Sequence, residues 1–258
     1  MRTPIISVIT IVFNGAHEIE RTIESVVQQT YKNIEYILVD GGSKDTTMHV
    51  VERYRTYFTT IVSEPDGGIY DAMNKGLRLA TGDYVCFVNC GDMLASNDVL
   101  EKVMKAIMLK SPWPDLVYGA YQEYVDGQVG AIIPSRSHRF AWYGMFASHQ
   151  STFCKRSIIK EHSLCFDLSY RIAADYKFLL CMVKYSLSFL QLPISISCFD
   201  VSGVSCSNQD EGLAEADRAR KEVLGMGWAS RTCVIMVSRL ARFAKQNLTP
   251  VYKLIRNR

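Results

Sequence analysis

No run of about 18 uninterrupted apolar residues occurs in these 258 residues, so the sequence offers no membrane-spanning helix. Eight cysteines are present (Cys86, Cys90, Cys154, Cys165, Cys181, Cys198, Cys206 and Cys233), but none forms a Cys-x-x-Cys pair and several sit inside apolar runs. That spacing speaks against a zinc centre and for reduced, buried thiols in a cytoplasmic protein. No Gly-x-Gly-x-x-Gly follows the first apolar run and no Walker lysine loop is found, so the dinucleotide and P-loop readings both lack their motif. Internal repeats and low-complexity tracts are missing. Met1-Arg2-Thr3-Pro4 leads into a short strand instead of a long apolar segment, so no signal peptide is expected.

Acids are missing from one stretch. Residues 228–258 hold Arg231, Arg239, Arg242, Lys245, Lys253, Arg256 and Arg258 without an Asp or Glu, and that +7 within a net +3 leaves −4 on the rest. A mildly acidic body argues against nucleic-acid binding, and the basic tail implies an acidic partner of its own. Val234, Ile235, Val237, Leu240 and Phe243 lie among those charges. The mixture suits the face of an anionic membrane; a helix packed on the domain is the plainer alternative.

At 48% apolar and 21% charged, the chain can build one large domain plus a tail. Residues 5–13 form a near-continuous apolar run rich in β-branched residues, as a strand buried on both faces requires. Helical spacing follows over 18–29, then a strand at 34–39, a helix from about 44 to 57, a short strand at 60–63, a helix at 71–80 and a strand at 84–88. This β-α-β-α-β-α-β order predicts a parallel sheet with right-handed crossovers. A helix at 97–109 and a strand at 115–118 come next. Segments 121–125 and 128–133 flank Asp126-Gly127, a strong hairpin signal that makes the sheet mixed. Residues 136–147 are aromatic-rich and read as irregular. A strand is expected at 148–153, a helix opening at Ala173-Ala174-Asp175-Tyr176, a strand at 188–196, a charged helix at 208–224 and a basic amphipathic one at 232–245.

Each of the first four strands runs into a polar or glycine-rich turn: Asn14-Gly15, Asp40-Gly41-Gly42, Glu64-Pro65-Asp66-Gly67-Gly68 and Asn89-Cys90-Gly91-Asp92. In a parallel sheet these turns share the carboxyl edge, where ligands collect. Four separate turns have no structural need to carry that chemistry together. Asp40, at a strand end before two glycines, can accept a ring N–H from a base or close an Asx turn; both readings stand.

Four ordered motifs give the chain a specific resemblance. They are Ser7-Val8-Ile9-Thr10-Ile11-Val12-Phe13-Asn14, Val39-Asp40-Gly41-Gly42-Ser43-Lys44-Asp45-Thr46-Thr47, Ser63 through Gly76 with Pro65-Asp66-Gly67-Gly68 and Asn74-Lys75-Gly76, and Ala80-Thr81-Gly82-Asp83-Tyr84 through Asp92. Together they resemble the GT-A-fold, family 2 glycosyltransferases, and more narrowly the bacterial colanic-acid, O-antigen and exopolysaccharide biosynthesis enzymes. The match is dense over about residues 5–95, sparser over about 145–180, and absent beyond about 200.

The resemblance implies a Rossmann-like mixed central sheet flanked by helices. Residues 1–95 would form the nucleotide-sugar half, 96–227 the acceptor half, and 228–258 a membrane-associating tail. Backbone at Ile11 and Asn14 with the Phe13 ring would pack on the base, and Asp40 would read its edge. Asp66 and Lys75 would lie near base, ribose or diphosphate. Asn89, Cys90, Gly91 and Asp92 occupy the place of the family's acidic metal-binding loop. Asn89 and Gly91 depart from that pattern, and only Asp92 keeps a carboxylate for Mn2+ or Mg2+. Asp175 matches the base of an inverting transfer, with Ala174 where the family usually has Glu. His149 and Gln150 fall where the sugar, diphosphate or acceptor pocket is lined; a core histidine is the plainer role for His149.

The implied activity is transfer of a hexose or N-acetylhexosamine from a nucleotide diphosphate, UDP above all, to a polyprenyl-diphosphate-linked saccharide at the inner membrane face. Two rivals remain at this point. A nucleotidyltransferase would need a basic Gly-rich loop after the first strand, which the chain lacks. A degenerate, non-catalytic sugar-nucleotide-binding protein draws its support from Asn89 and Gly91.

Overall fold

The computed structural model describes residues 2–125, 127–200 and 209–247, with the side chains of 209 and 241–247 left undescribed. Asp126 of the expected hairpin turn, Cys206, and Lys253, Arg256 and Arg258 of the tail lie outside the described residues.

The sheet grows from β1 (Ile6–Val12), which is buried along its whole length. Its residues alternate between two cores, as period-2 geometry demands. Ile9 and Ile11 join Ile37, Val39, Val85 and Phe87 on one face. Ile6, Val8 and Val12 join Tyr36, Leu38 and Cys86 on the other. Burying each such side chain contributes about 1.5–3 kcal/mol, so a strand apolar on both faces belongs at the centre. β1 pairs in parallel with β2 (Ile34–Asp40) and β4 (Tyr84–Phe87), and β2 with β3 (Thr60–Ser63).

The helices between them follow the apolar spacing. α1 (Ile19–Val27) buries Ile19, Thr22, Ile23 and Val26, which recur at three- and four-residue steps. α2 (Thr47–Glu52) buries Val51 in the same core. α3 (Ile69–Leu79) places Ala72, Met73 and Gly76 against the opposite face.

The second half completes a nine-stranded mixed sheet of order β3-β2-β1-β4-β8-β6-β9-β5, with β7 paired to β6. β5 is Met93–Leu94, β6 Leu116–Val125, β7 Gln128–Ile133, β8 Thr152–Lys155 and β9 Phe189–Asp200. β8 runs antiparallel to β4, with Val85 opposite Cys154, so the residues ahead of β8 come beside the end of β4. The helices are α4 (Val99–Met108), α5 (Arg156–Glu161), α6 (Ala174–Tyr185), α7 (Gln209–Leu224) and α8 (Trp228–Asn247).

Three expectations are corrected. Segments 115–118 and 121–125 are one long strand, β6, because β9 pairs alongside both parts across two register shifts. The strand expected from 148 starts only at Thr152: His149–Ser151 is a 3₁₀ turn, in which the Ser151 N–H donates to Ser148 O at 2.9 Å. The tail helix begins at Trp228, four residues early. Val234 on it is buried, and its Arg231 pairs with Asp217 of α7 at 2.9 Å.

Candidate active site

The parallel register of β1 to β4 brings all four turns to one edge. The Phe13 ring stands there 63% exposed, an unusual position for Phe in a central strand's exit. Asn14, at φ 49, takes the left-handed conformation its short amide tolerates. Its N–H donates to Ser43 Oγ (2.7 Å), and its Oδ1 accepts from the Lys44 N–H (2.8 Å). The first and second turns are thereby locked together.

Asp40 is fully buried. Its carboxylate accepts from the Gly42 N–H (3.2 Å), the Ser43 N–H (3.1 Å) and hydroxyl, and the Ser63 hydroxyl (2.6 Å). Of the two readings the sequence left open, the geometry is that of the Asx turn, closed by a third strand. Asp40 shapes the edge that a base would meet. Asp66 lies against that turn: a Cβ on Gly41 would sit 2.6 Å from Asp66 Oδ2 and push that carboxylate aside. Lys75, on α3, reaches Glu64 (2.8 Å) and Pro65 O (3.0 Å), bracing the third turn.

The fourth turn carries the unusual chemistry. Gly91, at φ +96, bends the chain so that Asp92 points inward. Asp92 is 4% exposed; its Oδ1 accepts from the Asp200 N–H (3.0 Å) and its Oδ2 from Gln150 Nε2 (2.7 Å). Burial dominates these bonds and pushes its carboxyl up to about 6. The Cys90 thiol turns to Gly15 O (3.7 Å), and burial raises it to about 12, so it stays protonated. Asn89 is 8% exposed, and its Oδ1 has no hydrogen-bond partner.

Across from this turn stand the residues of the second half. His149 Nε2 lies 3.2 Å from Asn89 Nδ2, and His149 Nδ1 lies 3.2 Å from Asp175 Oδ2. Asp175 sits in the first turn of α6 with Oδ1 accepting the Tyr176 N–H at 2.7 Å. One imidazole thus spans the distance between the Asn89–Asp92 turn and the carboxylate of α6, and Gln150 ties Asp92 to the same turn. The structure gathers Asn89, Asp92, His149, Gln150 and Asp175 into one cluster. Ile11, Phe13, Asn14, Asp40, Asp66 and Lys75 lie on the strand ends and turns beside it.

Arg21 and Thr22 of α1 were not legible as site residues. Thr22 Oγ1 accepts the Gly91 N–H (3.0 Å) and donates to Asp92 O (2.8 Å). Arg21 Nε donates to Gly91 O (3.2 Å), and its guanidinium pairs with Asp200 and lies over the Tyr124 ring. In sequence they are ordinary residues of an amphipathic helix, and only the sheet's topology gives them a partner.

For a divalent cation the Asn89–Asp92 turn offers one hard oxygen without a partner, Asn89 Oδ1, and one carboxylate, Asp92. Among the described residues no group of three His, Cys, Asp or Glu could hold a metal alone. The donor set therefore fits a cation that takes most of its ligands from a diphosphate and water.

Comparison with known proteins agrees with this architecture. The model of glycosyl transferase family 2 matches residues 7–163. An uncharacterized glycosyltransferase of Mycobacterium tuberculosis is 34% identical over 217 residues, covering 81% of this chain and 80% of its own. A PGL/p-HBAD biosynthesis glycosyltransferase of Mycobacterium bovis is 31% identical over 191 residues, 69% of each chain. Residues 1–349 of S. aureus TarS, solved with UDP-GlcNAc, share the fold at a TM-score of 0.71 and 18% identity, covering 97% of this chain and 75% of that one. The mannosyltransferase PcManGT of Pyrobaculum calidifontis, solved with GDP-Man and Mn2+, does so at 0.64 and 17%, covering 99% and 84%.

Proposed function

This chain belongs to glycosyl transferase family 2, and from that premise we propose that it is an inverting enzyme using a UDP-sugar donor, a hexose or N-acetylhexosamine, and a polyprenyl-diphosphate-linked saccharide acceptor in bacterial surface polysaccharide biosynthesis. The observation that carries the reading is the line Asn89–His149–Asp175. It sets a partly exposed carboxylate opposite the turn where the donor's diphosphate would lie.

In this mechanism Asp175 takes the proton of the acceptor hydroxyl as that oxygen bonds to C1 of the sugar. The bond from C1 to the diphosphate breaks on the opposite face, and the nucleoside diphosphate leaves with the electron pair. The proton ends on the Asp175 carboxylate. Phe13 and the Asp40–Ser43 turn would seat the base, and Asp66 and Lys75 the ribose side. A divalent cation, Mn2+ or Mg2+, held by Asp92 and Asn89 Oδ1, would offset the charge of the leaving diphosphate. The His149-bridged pairing of Asn89 with Asp175 supports this over the non-catalytic alternative, which gives Asp175 no reason to face the turn.

A thermal-shift panel of nucleotide sugars tests the reading, because a binder of the native state raises its stability by mass action. UDP-sugars are expected to raise Tm, and one of them to be hydrolysed slowly in the presence of Mn2+. Stabilisation without turnover of any donor would return the protein to the non-catalytic class.

Among the described residues no helix is long and apolar enough to cross a membrane. The proposed location is peripheral, on the cytoplasmic side of the cell membrane, through α8. Trp228, Met236, Val237 and Leu240 are exposed on it although Val234 is buried. Each basic residue near an anionic leaflet is worth about 1 kcal/mol. Sedimentation with anionic liposomes should therefore fall as salt rises, since the screening length shrinks to about 3 Å at 1 M. Met236→Ser with Leu240→Ser, which spares the contact with α7, should weaken it further. Equal sedimentation of the double variant and wild type at every salt concentration would assign α8 to packing alone.

A further inference from the structure

We infer that Glu215 of α7 and Tyr70 of α3 form a two-sided clamp that positions Asp175, an inference that rests on Asp175 being the base. The N-cap of α6 is Ala173, which has no side chain able to cap, and no side-chain cap bond is made there. The backbone ahead of the helix is held instead from outside. Glu215 Oε1 accepts the Arg171 N–H (2.7 Å), and Oε2 accepts the N–H groups of Ile172 (2.9 Å) and Ala173 (2.8 Å). One carboxylate more than forty residues away in sequence thus takes three successive backbone donors, and such charge-assisted bonds are about twice as strong as neutral ones. A negative charge there also complements the positive end of α6.

The same segment is gripped from the donor side. Tyr70 Oη donates to Ile172 O at 2.6 Å, and its ring stacks on Phe166. Tyr70 lies in the first turn of α3, directly after the Asp66–Gly68 turn of the donor edge. Burial, with the Asp175 charge nearby, raises the Tyr70 pKa, so its hydroxyl stays a donor. Glu215 is itself fixed by the packing of α7, whose Ala219 is fully buried and whose Glu222 pairs with Lys177 of α6 at 2.6 Å. Residues 171–173 are therefore held on both sides, and Asp175 follows two residues later with its Oδ2 3.2 Å from His149. Loss of either grip leaves Asp175 in place chemically but lets α6 start in more than one position.

The test compares Glu215→Gln and Tyr70→Phe with wild type, and uses Asp175→Asn as a reference. Gln keeps the size of Glu but turns one acceptor into a donor facing N–H groups. Phe keeps the ring and removes the single bond to Ile172 O. Expected is a kcat lower by roughly 10- to 100-fold for Glu215→Gln, the scale of an ångström of misplacement. The donor KM and UDP affinity should stay within about threefold of wild type, with a smaller kcat loss in Tyr70→Phe. The double variant should lose less than the product of the two, because both act on one segment. Wild-type kcat in folded Glu215→Gln and Tyr70→Phe, or a rise in KM alone, overturns the clamp. If Glu215→Gln fails to fold, Tyr70→Phe decides. An inactive Asp175→Asn beside fully active clamp variants removes the clamp and leaves the base; an active Asp175→Asn removes both.

Discussion

Asp175→Asn should lower transfer by roughly 10²- to 10⁴-fold, the usual contribution of a general base, while leaving donor binding nearly unchanged. The substitution is close to isosteric. Asn keeps an oxygen to accept the Tyr176 N–H that Asp175 Oδ1 now receives, so the first turn of α6 loses little. It removes the lone-pair basicity that an acceptor hydroxyl would need. Its side chain is linked to the Asn89–Asp92 turn through His149. Initial rates and isothermal titration with UDP together check the split. Retention of more than about a tenth of wild-type activity would sink the assignment. A deeper loss in His149→Gln than in Asp175→Asn would move the base to the imidazole, with Asp175 orienting it.

How far this site could be read without coordinates depended on the range of the contacts involved. β1 to β4 and their turns are local features: an apolar run, then Asp, Asn or Gly where the chain must leave the sheet. The parallel order follows from the helical spacing between them, and so does the shared edge. Asp40 is different. Its two readings differ by whether anything else claims the carboxylate, and the claimant, Ser63, sits on another strand. Thr22 and Arg21 reach Gly91 and Asp92 across some seventy residues, and Glu215 reaches the start of α6 across more than forty. No spacing rule connects such positions, because only the folded topology sets their distance.

β6 shows the same limit in the backbone. Its two halves look like separate strands around Gly119, and pairing with β9 joins them. The tail shows it in charge. Seven basic residues in a row of segments look uncommitted, yet Arg231 is matched by Asp217 on α7. The membrane proposal therefore rests on the exposed side of α8, not on its whole composition.

Asp92 joins function to stability with opposite signs. Its carboxyl titrates at about 6 in the fold against 3.8 when unperturbed, because burial disfavours the charge more than Gln150 and the Asp200 N–H favour it. The folded state therefore binds the proton more tightly than the unfolded chain. Stability is fully present below the unfolded value near 4 and is lost as pH rises through about 6. At 1.36 kcal/mol per unit, the loss by neutral pH is about 3 kcal/mol. Asp92→Asn removes the charge and keeps the shape. It should be as stable as wild type at pH 4 and more stable at pH 7.5, by several degrees in Tm for a chain of this size. Under the proposed mechanism, in which Asp92 holds the cation on the diphosphate, the same variant should lose most activity and most of any stabilisation by Mn2+ with UDP seen in the wild type. EDTA should reproduce the activity loss in wild type. Parallel pH profiles of Tm for the two proteins would show that burial does not hold this acid high. Full wild-type activity in EDTA would transfer the leaving group's charge compensation from Asp92 and its cation to basic side chains.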